Sequence, residues 1–225
     1  MSERAKATAA APPRERGIIF GAPMIRAILD GTKTQTRRPV KLPKEARLGP
    51  AIRLHPAPGD RLYVKERHAF WVGTADEVKQ GHTTPTEALE GGSVLYRADF
   101  SDEEWAGVQR DARDQGCWEL RPSIFLPRWA SRLTLEVTAV RVERLNAITG
   151  DGAIAEGAVN LPRAIAFADM LPELQEEYRR AALVCFQDVW DGIHGRPKAG
   201  ARDFSWAANP WTWVITFRRV EAAHA

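Results

Sequence analysis

The densest mixture of nucleophile-capable and cationic side chains in this chain is Gly31-Thr32-Lys33-Thr34-Gln35-Thr36-Arg37-Arg38-Pro39. A threonine hydroxyl attacks a carbonyl once a base takes its proton, and a lysine serves as that base only when its amine is neutral. The run from Thr34 to Arg38 is β-branched and polar. A period of two puts Thr34, Thr36 and Arg38 on one strand face and Gln35 and Arg37 on the other. Lys33 falls in the turn at the strand's entrance, from which its stem can fold over the first face and bring the amine near the Thr36 hydroxyl. The chemistry on offer is a Lys-Thr pair beside a guanidinium. The same composition also describes an ordinary surface strand, because threonines suit strands and exposed lysines and arginines solvate a face.

Three further positions carry candidate chemistry. In Arg61-Leu62-Tyr63-Val64-Lys65-Glu66, alternation sends Leu62 and Val64 inward and puts Glu66 in phase with them. A carboxylate there needs a partner, either a structural arginine or a ligand. Thr149 to Gly157 reads as a brief helix with Glu156 in its last turn, where the helix dipole disfavours a negative charge by roughly 0.3 to 1 kcal/mol. Function or a partner arginine explains such a placement. Trp129, preceded by Arg128 in a turn that starts at Pro127, is either a core residue or a stacking platform for a base.

Stepping outward, the elements that must hold these residues are legible from periodicity. Pro23 to Asp30 has helical spacing and ends at Gly31, where a left-handed cap belongs. Gly17-Ile18-Ile19-Phe20 reads as a short buried strand, and residues 1–16 as a disordered tail. The proline-containing stretch from 39 to 58 reads as a basic surface loop, and 72–93 as a flexible insertion. Ser101-Asp102-Glu103-Glu104 is a capping box opening a structural helix. Leu133, Leu135 and Val137 alternate inward, but the phase then flips to Val140 and Val142, which predicts a bulge or bend near Ala139. Leu174, Tyr178, Ala182, Cys185 or Phe186, Val189 and Ile193 form the apolar stripe of a long helix ended near Gly195. The last strand alternates Trp211, Trp213, Ile215 and Phe217 inward.

The chain has 225 residues, 44% of them hydrophobic, and a formal net charge of +3. That length supports one domain, spanning 17–220 with insertions near 68–118 and 160–208. The charge is uneven: Arg26, Lys33, Arg37, Arg38, Lys41, Lys44, Arg47 and Arg53 face only Asp30 and Glu45 over the same region, which suits a phosphate-bearing ligand or a solvated face. Cys117 and Cys185 have no metal or redox spacing. With no secretory apolar run and no membrane span, they predict a soluble cytoplasmic protein. A zinc deaminase would need His-x-Glu and Pro-Cys-x-x-Cys, both missing, and His55, His68, His82, His194 and His224 form no ligand pair. Neither a metal nor another cofactor is expected.

Gly-x-Lys-Thr-x-Thr-x-Arg after a short helix resembles the signature of the ASCH family, small barrels related to the PUA RNA-binding fold. Pro58-Gly59-Asp60-Arg61-Leu62-Tyr63-Val64 resembles the family's turn into a second strand, and Trp213-Val214-Ile215-Thr216-Phe217 its closing strand. Pro127 to Arg132 and Asn209-Pro210-Trp211 resemble the longer ASCH proteins carried by phages and prophages. The fold this implies, in keeping with the alternation, is α+β: a small mixed β-barrel flanked by helices, with insertions. Some members are similar to enzymes that hydrolyse N4-acetylcytidine with a threonine, a lysine and a glutamate. Carried over by position, the resemblance implies Thr36 as nucleophile, Lys33 as base, Glu156 as the proton donor to the departing cytosine amine, and Arg38 as a substrate contact. Glu66, Arg128 and Trp129 complete the expected substrate-binding set. The ligand is then a modified nucleoside or RNA. The competing expectation is a non-catalytic module that grips RNA or a modified nucleotide with the same basic face.

Overall fold

In a computed structural model, residues 13–41, 56–71, 94–114, 118–158, 169–197 and 200–220 are described. The chain is α+β. In order it forms β1 (Glu15–Ile19), α1 (Ala22–Leu29), β2 (Gln35–Pro39), β3 (Arg61–Lys65), β4 (His68–Trp71), β5 (Val94–Tyr96), α2 (Asp102–Asp114), β6 (Trp118–Arg121), β7 (Thr134–Arg144), α3 (Gly150–Ala155), α4 (Pro172–His194) and β8 (Trp211–Val220). A five-stranded sheet runs β1-β3-β7-β8-β2, with β1 parallel to β3 and the other pairs antiparallel. A second sheet of three strands runs β5-β4-β6.

No closed barrel is seen among the described residues. β1 and β2 are the free edges of the larger sheet, and no backbone ladder joins them. They do approach each other: Arg38 on β2 donates to the Ile19 carbonyl at the end of β1 at 2.6 Å. The stretch 68–118, read as an insertion, supplies β4 and β5 of the second sheet, while β6 runs past it, and Phe70 packs with Leu126 and Ala130 from the segment that follows. Residues 1–12, 42–55 and 72–93, on which the tail, basic-loop and insertion expectations mostly fall, lie outside the described residues, as does Cys117. β1 starts two residues before the expected strand, because Arg14 N–H is held by Asp60 Oδ1 at 2.9 Å and Glu15 pairs with Arg61. It is an edge strand, mostly exposed rather than buried.

The main core lies on one face of the larger sheet, where Leu62, Val64, Leu135, Val137, Ile215 and Phe217 pack on Phe20, Ile25 and Ile28. On β7 the register slips between Val137 and Ala139, leaving Thr138 unpaired. This bulge turns the apolar side over to Val140, opposite Ile215, and Val142, opposite Trp213. Arg141 and Glu143 are thereby sent to the other face, opposite Val214 and Thr212.

That second face is where α3 and α4 settle. Leu145, Ile148 and Ala153 pack with Ala182, Phe186 and Trp190 of α4. The apolar stripe of α4 is shorter than its periodicity suggests: Leu174, Val189 and Ile193 are exposed. On β8, Trp211 is exposed while Thr212 and Val214 are fully buried, because the helices cover the face that alternation alone assigns to solvent. Both predicted caps form: Ser101 and Glu104 exchange hydrogen bonds at 2.7 and 3.2 Å, and the Thr149 hydroxyl accepts from Gly152 N–H at 3.1 Å.

Candidate functional site

Two chain terminations bring the site together. α1 stops at Asp30, Gly31 takes φ 79°, and the chain doubles back so that Lys33 N–H reaches the Ala27 carbonyl at 2.9 Å. α3 stops at Glu156, and Gly157 takes φ 69°. A side chain at Gly157 would come within 3.0 Å of Lys33 Cβ and 2.9 Å of Ala27 Cβ, so only glycine lets the two turns meet. Thr34 N–H then donates to the Ala155 carbonyl at 2.9 Å, which locks the entrance of β2 to the end of α3.

The Lys33 amine is buried at this junction. It donates to the Gln35 carbonyl at 2.9 Å, the Glu156 carbonyl at 2.7 Å and Glu156 Oε2 at 3.2 Å. Glu156 Oε1 accepts from Arg37 Nη1 at 3.0 Å and from Gln35 Nε2 at 3.5 Å. Arg37 Nη2 donates to Glu143 Oε1, Arg141 Nε to Glu143 Oε2 at 3.0 Å, and Arg141 Nη2 to Gln35 Oε1 at 3.3 Å. The result is a closed ring of Glu156, Arg37, Glu143, Arg141 and Gln35, with Lys33 attached at Glu156. Burial holds Lys33 below the usual lysine range. Glu156 opposes this, and the guanidinium groups of Arg38 and Arg37 reinforce it. Phe20 lies beneath both Lys33 and Arg38, at 5.5 and 5.3 Å from its ring centre.

Thr36 is also buried, and its hydroxyl makes no hydrogen bond among the described residues. Sequence reading turns the Lys33 amine toward this hydroxyl; in the structure it points to the end of α3 and makes no hydrogen bond to Thr36. Thr36, Arg37, Arg38 and Glu156 line a cavity of about 280 Å³, walled by Phe186, Trp190 and Ile193 and closed at one end by His194. A second cavity of about 250 Å³, lined by Pro23, Gly157 and Ala158, shares Gly21, Met24, Glu156, Phe186 and Val189 with the first. The two are lobes of one cleft that share Glu156; both are walled mainly by apolar surface, and Thr36, Arg37, Arg38 and His194 line the first alone.

The remaining expected residues lie elsewhere. Arg132 grips Glu66 with two hydrogen bonds, at 2.9 and 3.1 Å, and Glu66 faces a separate cavity of about 420 Å³ lined by Phe20, Arg67, Arg97 and Ser123. Burial raises the Glu66 carboxyl above its usual range, against the pull of Arg132. Arg128 bonds Glu15 at 2.8 Å and lies 5.5 Å above the Tyr63 ring, while Trp129 is exposed beside Phe70. Neither lines the two-lobed cleft.

Sequence reading passed over Gln35, Glu143, Phe186 and His194 as site residues, and treated Arg37 only as a neighbour of Lys33. The period of two in β2 pairs Gln35 with Arg37, and the phase flip in β7 isolates Glu143. Nothing local shows that α4 closes over them. Among the described residues, no group of three His, Cys, Asp or Glu side chains could hold a metal ion, and no helix is long and apolar enough to cross a membrane. No family description, curated protein or solved structure matches this chain.

Proposed function

We propose that the two-lobed cleft hydrolyses the amide of an N4-acylated cytidine, releasing the carboxylic acid and the cytosine amine. The observation that carries this reading is that Thr36, whose hydroxyl makes no hydrogen bond among the described residues, lines one cavity with Glu156, whose carboxylate lies 3.2 Å from the buried Lys33 amine. Thr36 Oγ1 attacks the acyl carbonyl as its proton passes to neutral Lys33. The C–N bond then breaks as that proton passes from the Lys33 ammonium through Glu156 Oε2 to the leaving amine, and water cleaves the acyl-threonine ester, giving its hydroxyl to the acid and a proton back to Thr36 Oγ1. Depression of the Lys33 pKa serves the first step. A neutral amine has two hydrogens for three acceptors, so deprotonation releases one contact and leaves a lone pair free to turn toward Thr36.

The ASCH resemblance of the Lys33 to Arg38 segment agrees with this chemistry. For a PUA-like barrel the support is the Arg38 bridge between β1 and β2, the two edges that a barrel would join. The wide separation of Cys117 and Cys185 in the sequence, in no metal or redox spacing, supports a reducing cytoplasm.

One observation favours the binding module instead. All three hydrogens of Lys33 are accepted, as a charged ammonium with a structural task would have them. Incubating purified protein with N4-acetylcytidine and following cytidine release separates the two readings. The expected result is turnover by the wild type that Thr36→Ala abolishes. Undiminished turnover by Thr36→Ala eliminates the nucleophile, and no wild-type turnover with nucleotide bound in the cleft favours the module.

A further inference from the structure

The ring of charges leaves one cation out. Lys33, Arg37 and Arg141 each touch a carboxylate, whereas Arg38 has none within salt-bridge distance. Its hydrogen bond goes to the neutral Ile19 carbonyl, its guanidinium lies over the Phe20 ring, and the Glu156 carboxylate acts on it only from beyond contact distance. A guanidinium keeps its charge under any ordinary condition, so its partial burial with no carboxylate in contact is offset only in part, and an anion in the lobe would complete it. Four of its five N–H groups remain for that anion.

His194 lines the same lobe as Arg38. It is the last residue of α4, held against Trp190 at 4.6 Å between ring centres and set edge-on to Phe204 at 6.5 Å. Its imidazole makes no hydrogen bond among the described residues. The charged groups facing it are Arg38 and Lys41, which together with burial push its pKa down, and Asp191, which pulls it up. Asp191 is already engaged, since its Oδ1 accepts from Trp206 N–H at 2.7 Å. Two basic side chains with open hydrogen-bonding capacity therefore line one small space, with the Glu156 carboxylate, already held by Lys33 and Arg37, also on its wall.

A phosphate answers this arrangement: the guanidinium fork matches two of its oxygens, and an imidazole N–H reaches a third. The lobe holds about 280 Å³, at the small end for ligand cavities, which suits a single nucleotide. We propose that Arg38 and His194 form a phosphate subsite, so that the ligand is an N4-acylated cytidine nucleotide, not the bare nucleoside. The identity of the base rests on the cytidine reading above; the phosphate rests on Arg38 and His194.

Calorimetric titration of the full chain with cytidine, cytidine 5′-monophosphate and a short cytidine oligonucleotide tests it, using wild type, Arg38→Gln, Arg38→Lys and His194→Gln. The expected result is that the monophosphate binds wild type about tenfold or more tighter than cytidine, as one or two charge-assisted hydrogen bonds provide. Arg38→Gln and His194→Gln should each bring the ratio of monophosphate to cytidine affinity down toward one, whatever either does to cytidine affinity itself. If Arg38→Gln fails to fold by its melting profile, Arg38→Lys, which keeps the charge and loses the fork, should show a reduced preference. Equal wild-type affinity for cytidine and its monophosphate, or a preference that survives both substitutions, overturns the subsite. Tighter binding of the oligonucleotide than of the monophosphate overturns the mononucleotide assignment. Phosphate preference without turnover of N4-acetylcytidine defeats the amidase alone, and turnover without phosphate preference defeats this subsite alone.

Discussion

Glu66 and Glu156 are both almost fully buried, both sit where local pattern disfavours a carboxylate, and both are held by arginine. Their surroundings differ. Arg132 takes both oxygens of Glu66, turns its remaining edge to Asp99 at 2.8 Å and stacks 4.2 Å from the centre of the Tyr96 ring. That network is closed, even though it borders the larger cavity. Glu156 divides its oxygens between Lys33 and Arg37 and opens onto a cleft with an unused hydroxyl and an unpaired guanidinium. Burial of a carboxylate is therefore a weak mark of chemistry. Polar groups left without partners on a cavity wall are a stronger one.

Substitution of the two glutamates gives the largest expected contrast. Glu156→Gln keeps the shape but cannot deliver a proton, and should lower kcat/KM on N4-acetylcytidine by about 10² to 10⁴-fold. Glu66→Gln should leave it at the wild-type level. Equal losses in the two variants would break the comparison. Lys33→Ala should fall in the same range as Glu156→Gln, and the Lys33→Ala, Thr36→Ala double variant should be no worse than Thr36→Ala alone, because residues acting as a unit lose their function with the first deletion.

Stability should sharpen the contrast next. Removing one partner of a buried pair costs about 3 to 5 kcal/mol because a charge is left uncompensated. Glu156→Ala, which leaves Lys33 and Arg37 facing each other in the interior, belongs at the upper end in urea unfolding. Glu66→Ala belongs at the lower end or below it, since Arg132 is partly exposed and keeps Asp99.

The pH dependence has opposite signs at the two sites. The Glu66 carboxyl is raised on folding, so the native state holds its proton more tightly, and this contribution to stability is lost as pH rises from the ordinary glutamate value through the raised one. Glu66→Gln should flatten that part of the curve. Lys33 is lowered on folding, so its contribution is present at high pH and is lost as pH falls from the ordinary lysine value through the lowered one. The same titration should appear as a limb of kcat/KM that rises with pH, with its midpoint below the ordinary lysine range.

Gly157→Ala is the mildest case. A non-glycine residue at φ 69° costs of order 1 to 3 kcal/mol, and the added methyl pushes on the Lys33 stem. Reduced kcat with little change in KM is the expected outcome. A Gly157→Ala variant with full activity would show that the contact between the two turns does not set the position of Lys33.

Local signals carried much of the scaffold. The capping box at Ser101, the Thr149 cap, the stop at Gly31 and the phase flip before Val140 each depend on residues a few positions apart, and each appears in the structure close to its expected place. The misreadings share a cause. Alternation points Trp211 inward and extends the α4 stripe to Leu174 and Ile193, all of them exposed in the structure, because periodicity reports that a face is apolar without reporting what covers it. Likewise, alternation puts Gln35 and Arg37 on the face of β2 away from Thr36 but cannot show that the end of α3 lies there to receive them.

What the sequence determined by itself is the inventory and the local geometry: a turn at Gly31, a strand with two distinct polar faces, a bulge that re-aims Glu143, and a helix that ends on an acid. Those follow from backbone sterics and side-chain periodicity over a few residues. Only the tertiary structure decided that Lys33 and Glu156, 123 positions apart, share a hydrogen bond, that the amine turns from Thr36 toward the α3 terminus, and that Arg38 shares a cavity wall with His194 and has no carboxylate in contact. Each of these depends on which surfaces exclude water together, and that is set by the packing of α1, α3 and α4 around the larger sheet rather than by any neighbouring residue.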